Sequence, residues 1–280
     1  MRISGGERLI EANGIPDHAP GQFPRRGNPN RISEQEYNFQ VPSHPQTNER
    51  PTPVNHALFG VALNGVPFDP GTAEFWNRDR LSGWNYEAKG SSIDLGLDEH
   101  NAHVQPTGAY HYHGVPIGLA QKTGENQMQL VGYAADGFPM YTSKVYANHK
   151  DSSAGFKSLR SSYRLKQGSR NGGPGGNYDG SFTADWEYVK GAGDLDECNG
   201  GFGVTPQYPA GTYFYCVTEE FPFIPRFWRG TPDRSFFKKP PMGTPGGSRE
   251  RPGRPRFGEV KQEEMNLVAE VSVRHVKNGK

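Results

Sequence analysis

Apolar and polar positions alternate along this chain in short bursts broken by Gly, Pro and Asn. "EQEYNFQVP" (34–42), "AYHYHGVP" (109–116), "SYRLKQG" (162–168) and "TYFYCVT" (212–218) carry the period of two, or the aromatic enrichment, expected of strands. The best helical stretch, "FKSLRSSYRL" (156–165), is short. "GVALNGVPF" (60–68) and "GYAADGFPM" (132–140) align without a gap, 72 residues apart. Each sets Asn-Gly or Asp-Gly between apolar runs, which predicts two similar hairpins with type I′ turns. Pro67 and Pro139 cannot donate to a ladder, so the outgoing strands are expected at a sheet edge there. Two readings explain the likeness: an internal duplication giving a pseudo-symmetric sandwich, or a common hairpin used twice, which is the preferred one.

These elements predict a mainly β fold: an antiparallel sandwich or barrel-like domain with long Gly/Pro-rich loops and few short helices. Residues 1–53 read as an extended, turn-rich arm packing on the core. Residues 54–233 read as the β domain. Residues 234–280 read as a Pro/Gly/Arg-rich linker and a C-terminal segment that alternates from Leu267 to Val276.

Composition fits that picture. The 37 glycines and 24 prolines among 280 residues argue against long helices, and 12% aromatic residues point to a core of Tyr, Phe and Trp. A formal net charge of +1 is too weak a field to call for nucleic acid. No apolar run is long enough to span a bilayer, and "MRISGGERLIEANG" has no apolar region of the secretory kind. Two cysteines, Cys198 and Cys216, leave open one disulfide or two buried thiols. The disulfide, closing a loop of 17 intervening residues, is preferred and would add roughly 3 kcal/mol.

The chemistry concentrates in "LDEHNAHVQPTGAYHYHG" (97–114). On a strand, His111 and His113 project to one face and Tyr110 and Tyr112 to the other. A turn at Pro106–Gly108 would bring His103 back beside them. Three imidazoles suit Zn²⁺ or copper and leave a position open, as catalytic zinc sites do. Asp98 and Glu99 are candidates for a general base, and His100 stands nearby. His18, in "NGIPDH", is a further candidate ligand if the arm folds over the site. "GDLDECNGG" (193–201) clusters Asp194, Asp196, Glu197 and Asn199, hard oxygens that can hold Ca²⁺; a turn with Asx side chains bonded to backbone is the preferred reading. In "FPFIPRFWRGTPD" (221–233), Arg226, Trp228 and Arg229 either wall a pocket for a small molecule or glycan, or pack with the arginines reaching water. No nucleophile elbow, phosphate loop or dinucleotide fingerprint occurs.

The tetrapeptide "YHYH" within "AHVQPTGAYHYHG", with "ANGIPDH", "GVALNGVPFDPGTAEFW", "DGFPMY", "LDECNGGFG" and "FPFIPRFWRGTPD", resembles the YHYH-domain proteins, a mainly bacterial family. The likeness runs from about Asn13 to Asp233. Members of that family commonly look exported, so the resemblance implies a periplasmic or secreted protein and favours the Cys198–Cys216 disulfide. It implies no particular reaction and does not set the oligomeric state. Four readings stand as expectations: a zinc-dependent hydrolase, a copper-dependent oxidoreductase, a non-catalytic binding module with a structural metal, or no metal at all, with the histidines packed among the tyrosines.

Overall fold

Two tight turns set the centre of the molecule. Ala62 accepts from Gly65 N (2.9 Å), and Ala134 accepts from Gly137 N (2.8 Å). Gly65 (φ 82°) and Gly137 (φ 89°) take the left-handed conformation, while Asn64 and Asp136 do not. This is a three-residue loop with a glycine bulge, not the expected type I′ turn. The Asn64 and Asp136 side chains accept from the backbone N–H two residues on, which holds each in its turn.

The structure is a computed structural model and describes residues 1–90, 92–122 and 127–238. The alternating segment Leu267–Val276 and most of the Pro/Gly/Arg-rich stretch lie outside the described residues.

Eight strands form the main sheet, labelled here in chain order: β1 (Gly60–Ala62), β2 (Pro67–Phe68), β3 (Ala102–Val104), β4 (Tyr110–Tyr112), β5 (Leu130–Ala134), β6 (Pro139–Thr142), β7 (Gly200–Gly203) and β8 (Thr212–Val217). Their spatial order is β7-β8-β6-β5-β1-β2-β4-β3. The fold is mainly β, as expected, but the sheet is mixed and open. β2 runs parallel to β4, and β6 parallel to β8. Pro67 and Pro139 do not mark edges. Each begins its strand, opposite Val61 and Tyr133, and the parallel partner joins one residue later, at Phe68 and Met140. A missing N–H at a first strand residue breaks no ladder bond.

The sheet reads the same from both ends. β1 and β5 pair antiparallel at the centre, with Val61 opposite Tyr133. Outward from that pair, β1-β2-β4-β3 mirrors β5-β6-β8-β7 in order and direction. Phe68 pairs Tyr112 where Met140 pairs Tyr215. His103 pairs His111 where Gly201 pairs Phe214. The likeness therefore extends past two hairpins to four strands each, which a reused hairpin does not explain.

Outside the sheet, strands Arg2–Ser4, Glu7–Ala12 and Tyr37–Pro42 form an antiparallel layer. Ile10, Phe39 and Val41 from it join Phe59, Phe68, Tyr110, Tyr112, Tyr213 and Tyr215 in the large core. The expected helix at 156–165 is not formed: Asp151–Ser158 is a strand, and Tyr163–Leu165 pairs with Trp186–Tyr188. The five-residue Ile117–Gln121 is the α-helix among the described residues. Phe236 is fully buried and stacks on Phe39 (4.4 Å), so chain after Asp233 still packs on the core.

Cys198 and Cys216 are free and buried, which corrects the disulfide expectation. Asn199 O accepts from Cys216 N, so Cys198 lies one residue out of register with Cys216. Cys198 belongs to the large core, and Cys216 to a smaller cluster with Met128, Tyr141, Val145, Leu195 and Phe214. Neighbouring residues on paired strands face opposite ways, so the two sulfurs do not meet. Burial pushes both thiols well above the ordinary range.

Two measurements check this fold. A thiol reagent added without reductant should find two reactive thiols in denaturant and almost none in the native protein; none in denaturant would restore the disulfide. Trp228 is fully buried and donates Nε1–H to Phe59 O (2.9 Å). Trp228→Ala should lower the unfolding free energy, read by urea denaturation, by about 3–5 kcal/mol.

Candidate metal centre

The β3–β4 hairpin turns at Gly108, whose N–H bonds Gln105 O (2.8 Å), and its register sets His103 directly opposite His111. One residue beyond β4, His113 N bonds Asn101 O (2.7 Å). Asn101 sits at φ 59° and donates its side chain to Val115 O (2.8 Å), fixing both flanks of the hairpin base. Asp98 ties the same base. Its Oδ1 accepts from His100 N and Ala102 N, and its Oδ2 from Gly21 N and Tyr110 Oη (2.7 Å).

On this frame the strand alternation separates two chemistries. Tyr110 and Tyr112 enter the large aromatic core. His111 and His113 face the other way, with His103. His113 Nε2 lies 3.0 Å from His111 Nε2 and 3.1 Å from His103 Nε2. The three ligand atoms fall within 4.8 Å of one another. His111 and His113 are each 3% exposed; His103 is half-buried and forms the open side of the cluster.

The outer nitrogens decide what the inner ones can be. His103 Nδ1 meets Leu95 O (2.9 Å), and His111 Nδ1 meets Ala109 O (3.1 Å). A carbonyl only accepts, so both Nδ1 atoms carry the proton. Both Nε2 atoms are then bare lone pairs in the neutral rings. They point at His113 Nε2, which holds at most one hydrogen and can satisfy one of them. His113 Nδ1 is buried without a hydrogen-bond partner among the described residues. Burial, and then the neighbouring imidazoles, holds His111 and His113 well below the ordinary histidine range; burial also lowers His103. Neutral imidazoles, two of them oriented by carbonyls on their outer N–H groups, are a donor set that a borderline cation takes. The residues fit a metal ion.

Of the other candidate residues, the structure sets His18 on the tyrosine face. Its Nε2 bonds Tyr112 Oη (2.7 Å), and its ring lies 4.1 Å from that of His100. The arm does fold against the hairpin, but on the side opposite the cluster. Asp98 is occupied as described, and Glu99 is exposed beside His100, 3.9 Å from its Nε2. Arg226 pairs with buried Glu87 (2.7 Å) and also donates to Pro70 O. Trp228 is core. Arg229 N donates to Tyr215 Oη (2.6 Å). Asp196 accepts from Cys198 N and Gly200 N, and Asp194 from Arg160 N, so the proposed Ca²⁺ loop is a set of turns bonded to backbone. Among the described residues the His103, His111 and His113 group alone converges as a metal would need.

Asp69 was not singled out from the sequence. It follows β2, and its N–H bonds Tyr112 O (2.9 Å), one of the hydrogen bonds that make the Phe68–Tyr112 parallel pair. Phe68 faces the tyrosine core, so Asp69 turns to the imidazole face. It is 2% exposed, and its Oδ2 accepts from Lys238 Nζ (2.5 Å) and Gln105 Nε2 (3.3 Å). Burial lowers the His103 pKa, and the charges of Glu74, Asp69 and Asp98 all act in the opposite sense. The signal for Asp69 was the alternation Phe68-Asp69 beside a strand of the same parity.

The family model described as YHYH protein matches residues 38–230. The chain belongs to the YHYH family. Comparison with curated proteins and with solved structures found no match to this chain. The tetrapeptide that gives the YHYH family its name is β4 plus His113, with the tyrosines in the core and the histidines in the cluster.

Nitrogen-detected NMR of the metal-free protein checks the tautomers. His103 and His111 should both appear as the Nδ1–H form. A dominant Nε2–H form at either would contradict the lone-pair argument.

Proposed function

We propose that the protein binds one zinc ion through the Nε2 atoms of His103, His111 and His113 and uses it in hydrolysis. The observation that carries this reading is the buried meeting of two obligatory lone pairs with a third ring nitrogen that cannot satisfy both. A cation resolves that conflict. Bound zinc supplies a Lewis acid that lowers the pKa of a coordinated water to about 7.

The chain's own residues supply the rest. His103, the half-buried member, marks the side from which a small-molecule substrate reaches the centre. Asp69, aimed at the same face and held by Gln105 and Lys238, replaces Asp98 and Glu99 as the candidate general base. Zinc is preferred to copper because neither cysteine is at the cluster. A structural metal would call for a fourth protein ligand, and the converging group among the described residues has three. An extracytoplasmic location belongs to this reading through the family resemblance alone; the free thiols lend it no support.

Zinc titration against a chromophoric chelator tests the reading. Wild type should bind one equivalent, and His111→Ala and His113→Ala should each weaken binding by about 100-fold or more. Stoichiometric metal surviving both changes would remove the site. Asp69→Asn should keep the metal and lose most hydrolysis of whichever chromogenic ester, amide or phosphate the wild type cleaves. Unchanged turnover would remove Asp69 from the mechanism.

A further inference from the structure

We infer that β5–β8 is a duplicate of β1–β4 whose positions matching the three histidines, Gly201, Phe214 and Cys216, form a latent second metal site that lacks its imidazoles. The inference rests on the zinc reading for the first half of the sheet only.

The two halves share more than strand order. "LDEHNA" (97–102) and "LDECNG" (195–200) align on Leu, Asp, Glu and Asn. Asp196 repeats the bonds of Asp98: its Oδ1 accepts from Cys198 N and Gly200 N, and Tyr213 Oη donates to its carboxylate (3.0 Å), as Tyr110 Oη donates to Asp98. Asn199 repeats Asn101, with φ 54° against 59°, and its carbonyl accepts from Cys216 N as that of Asn101 does from His113 N. Tyr215 Oη bonds Asp136 as Tyr112 Oη bonds Asn64. These pairs occupy matching registers, so His103, His111 and His113 correspond to Gly201, Phe214 and Cys216.

Two consequences follow. Asp98, Asn101 and Tyr110 have counterparts where no imidazole stands, so their work is to build the hairpin, not to serve the metal. The face that carries Gly201 and Phe214 also has room for larger side chains. A cavity of about 310 Å³ opens there, lined by Gly201, Phe214, Leu195 and Val145 among others, and a Cβ on Gly201 would meet nothing within 4 Å. Phe214 occupies the place of His111, and the Cys216 thiol that of His113.

The test rebuilds the site. Gly201→His with Phe214→His adds two imidazoles to the native Cys216 thiol, a donor set that suits zinc. In the full chain, the folded double variant should bind one zinc equivalent more than wild type. The same pair placed on His111→Ala/His113→Ala should restore one equivalent, and adding Cys216→Ala should remove it. If wild type binds no zinc, the proposed function fails and the metal part of this inference falls with it; if wild type binds one equivalent and the folded double variant gains none, this inference alone fails. A cooperatively melting double variant with no added equivalent overturns it. Should the double variant not fold, Asp98→Asn and Asp196→Asn decide. Both should lower the melting temperature by similar amounts, and Asp98→Asn should keep wild-type zinc stoichiometry. Loss of zinc in Asp98→Asn at unchanged melting temperature would overturn the shared-scaffold argument.

Discussion

The constraint on which the rest depends is the parity of one buried strand. β4 is covered on both faces, so every side chain on it is committed to a side. Tyr110 and Tyr112 anchor one face in the aromatic core and bond Asp98, Asn64 and His18 through their hydroxyls. With the tyrosines fixed, the histidines between and after them have one direction left. A slip of one residue would bury imidazoles among aromatic rings and turn two tyrosines into the cluster, so the register is strongly specified.

That parity also explains how a polar cluster persists inside a β protein. Buried imidazole nitrogens are costly unless each finds a partner. His103 and His111 meet the requirement on their outer sides through Leu95 and Ala109 carbonyls. Their inner sides converge on one point, where backbone offers nothing. The fold thereby brings the acceptor capacity of three imidazoles to a single small volume, an arrangement that could hold a metal ion. The second half of the sheet repeats the frame with Gly201, Phe214 and Cys216 at the matching positions, where no ring nitrogen needs a partner.

Much of this was legible beforehand. Alternation in "AYHYHGVP" placed His111 and His113 on one face, and the turn at 106–108 returned His103 to them. Other features were hidden for identifiable reasons. The side on which the arm delivers His18 depends on its path over the tyrosine face, and no local pattern encodes that path. The cysteines look pairable by number and spacing, yet a one-residue offset in register puts them on opposite sides of the sheet. The duplication was visible only in its first block because the offset between halves changes along the chain. It is 72 residues at Gly60 and Gly132, and 98 at Asp98 and Asp196. Asp69 was passed over because its role depends on a parallel neighbour, a pairing that sequence periodicity does not reveal.

X-ray absorption at the zinc edge of the loaded full-length chain addresses the central claim most directly. The account predicts three imidazole nitrogens at about 2.0–2.1 Å, with their ring multiple-scattering signature, one further light atom and no sulfur. A sulfur shell near about 2.3 Å, or fewer than three imidazoles, would contradict it.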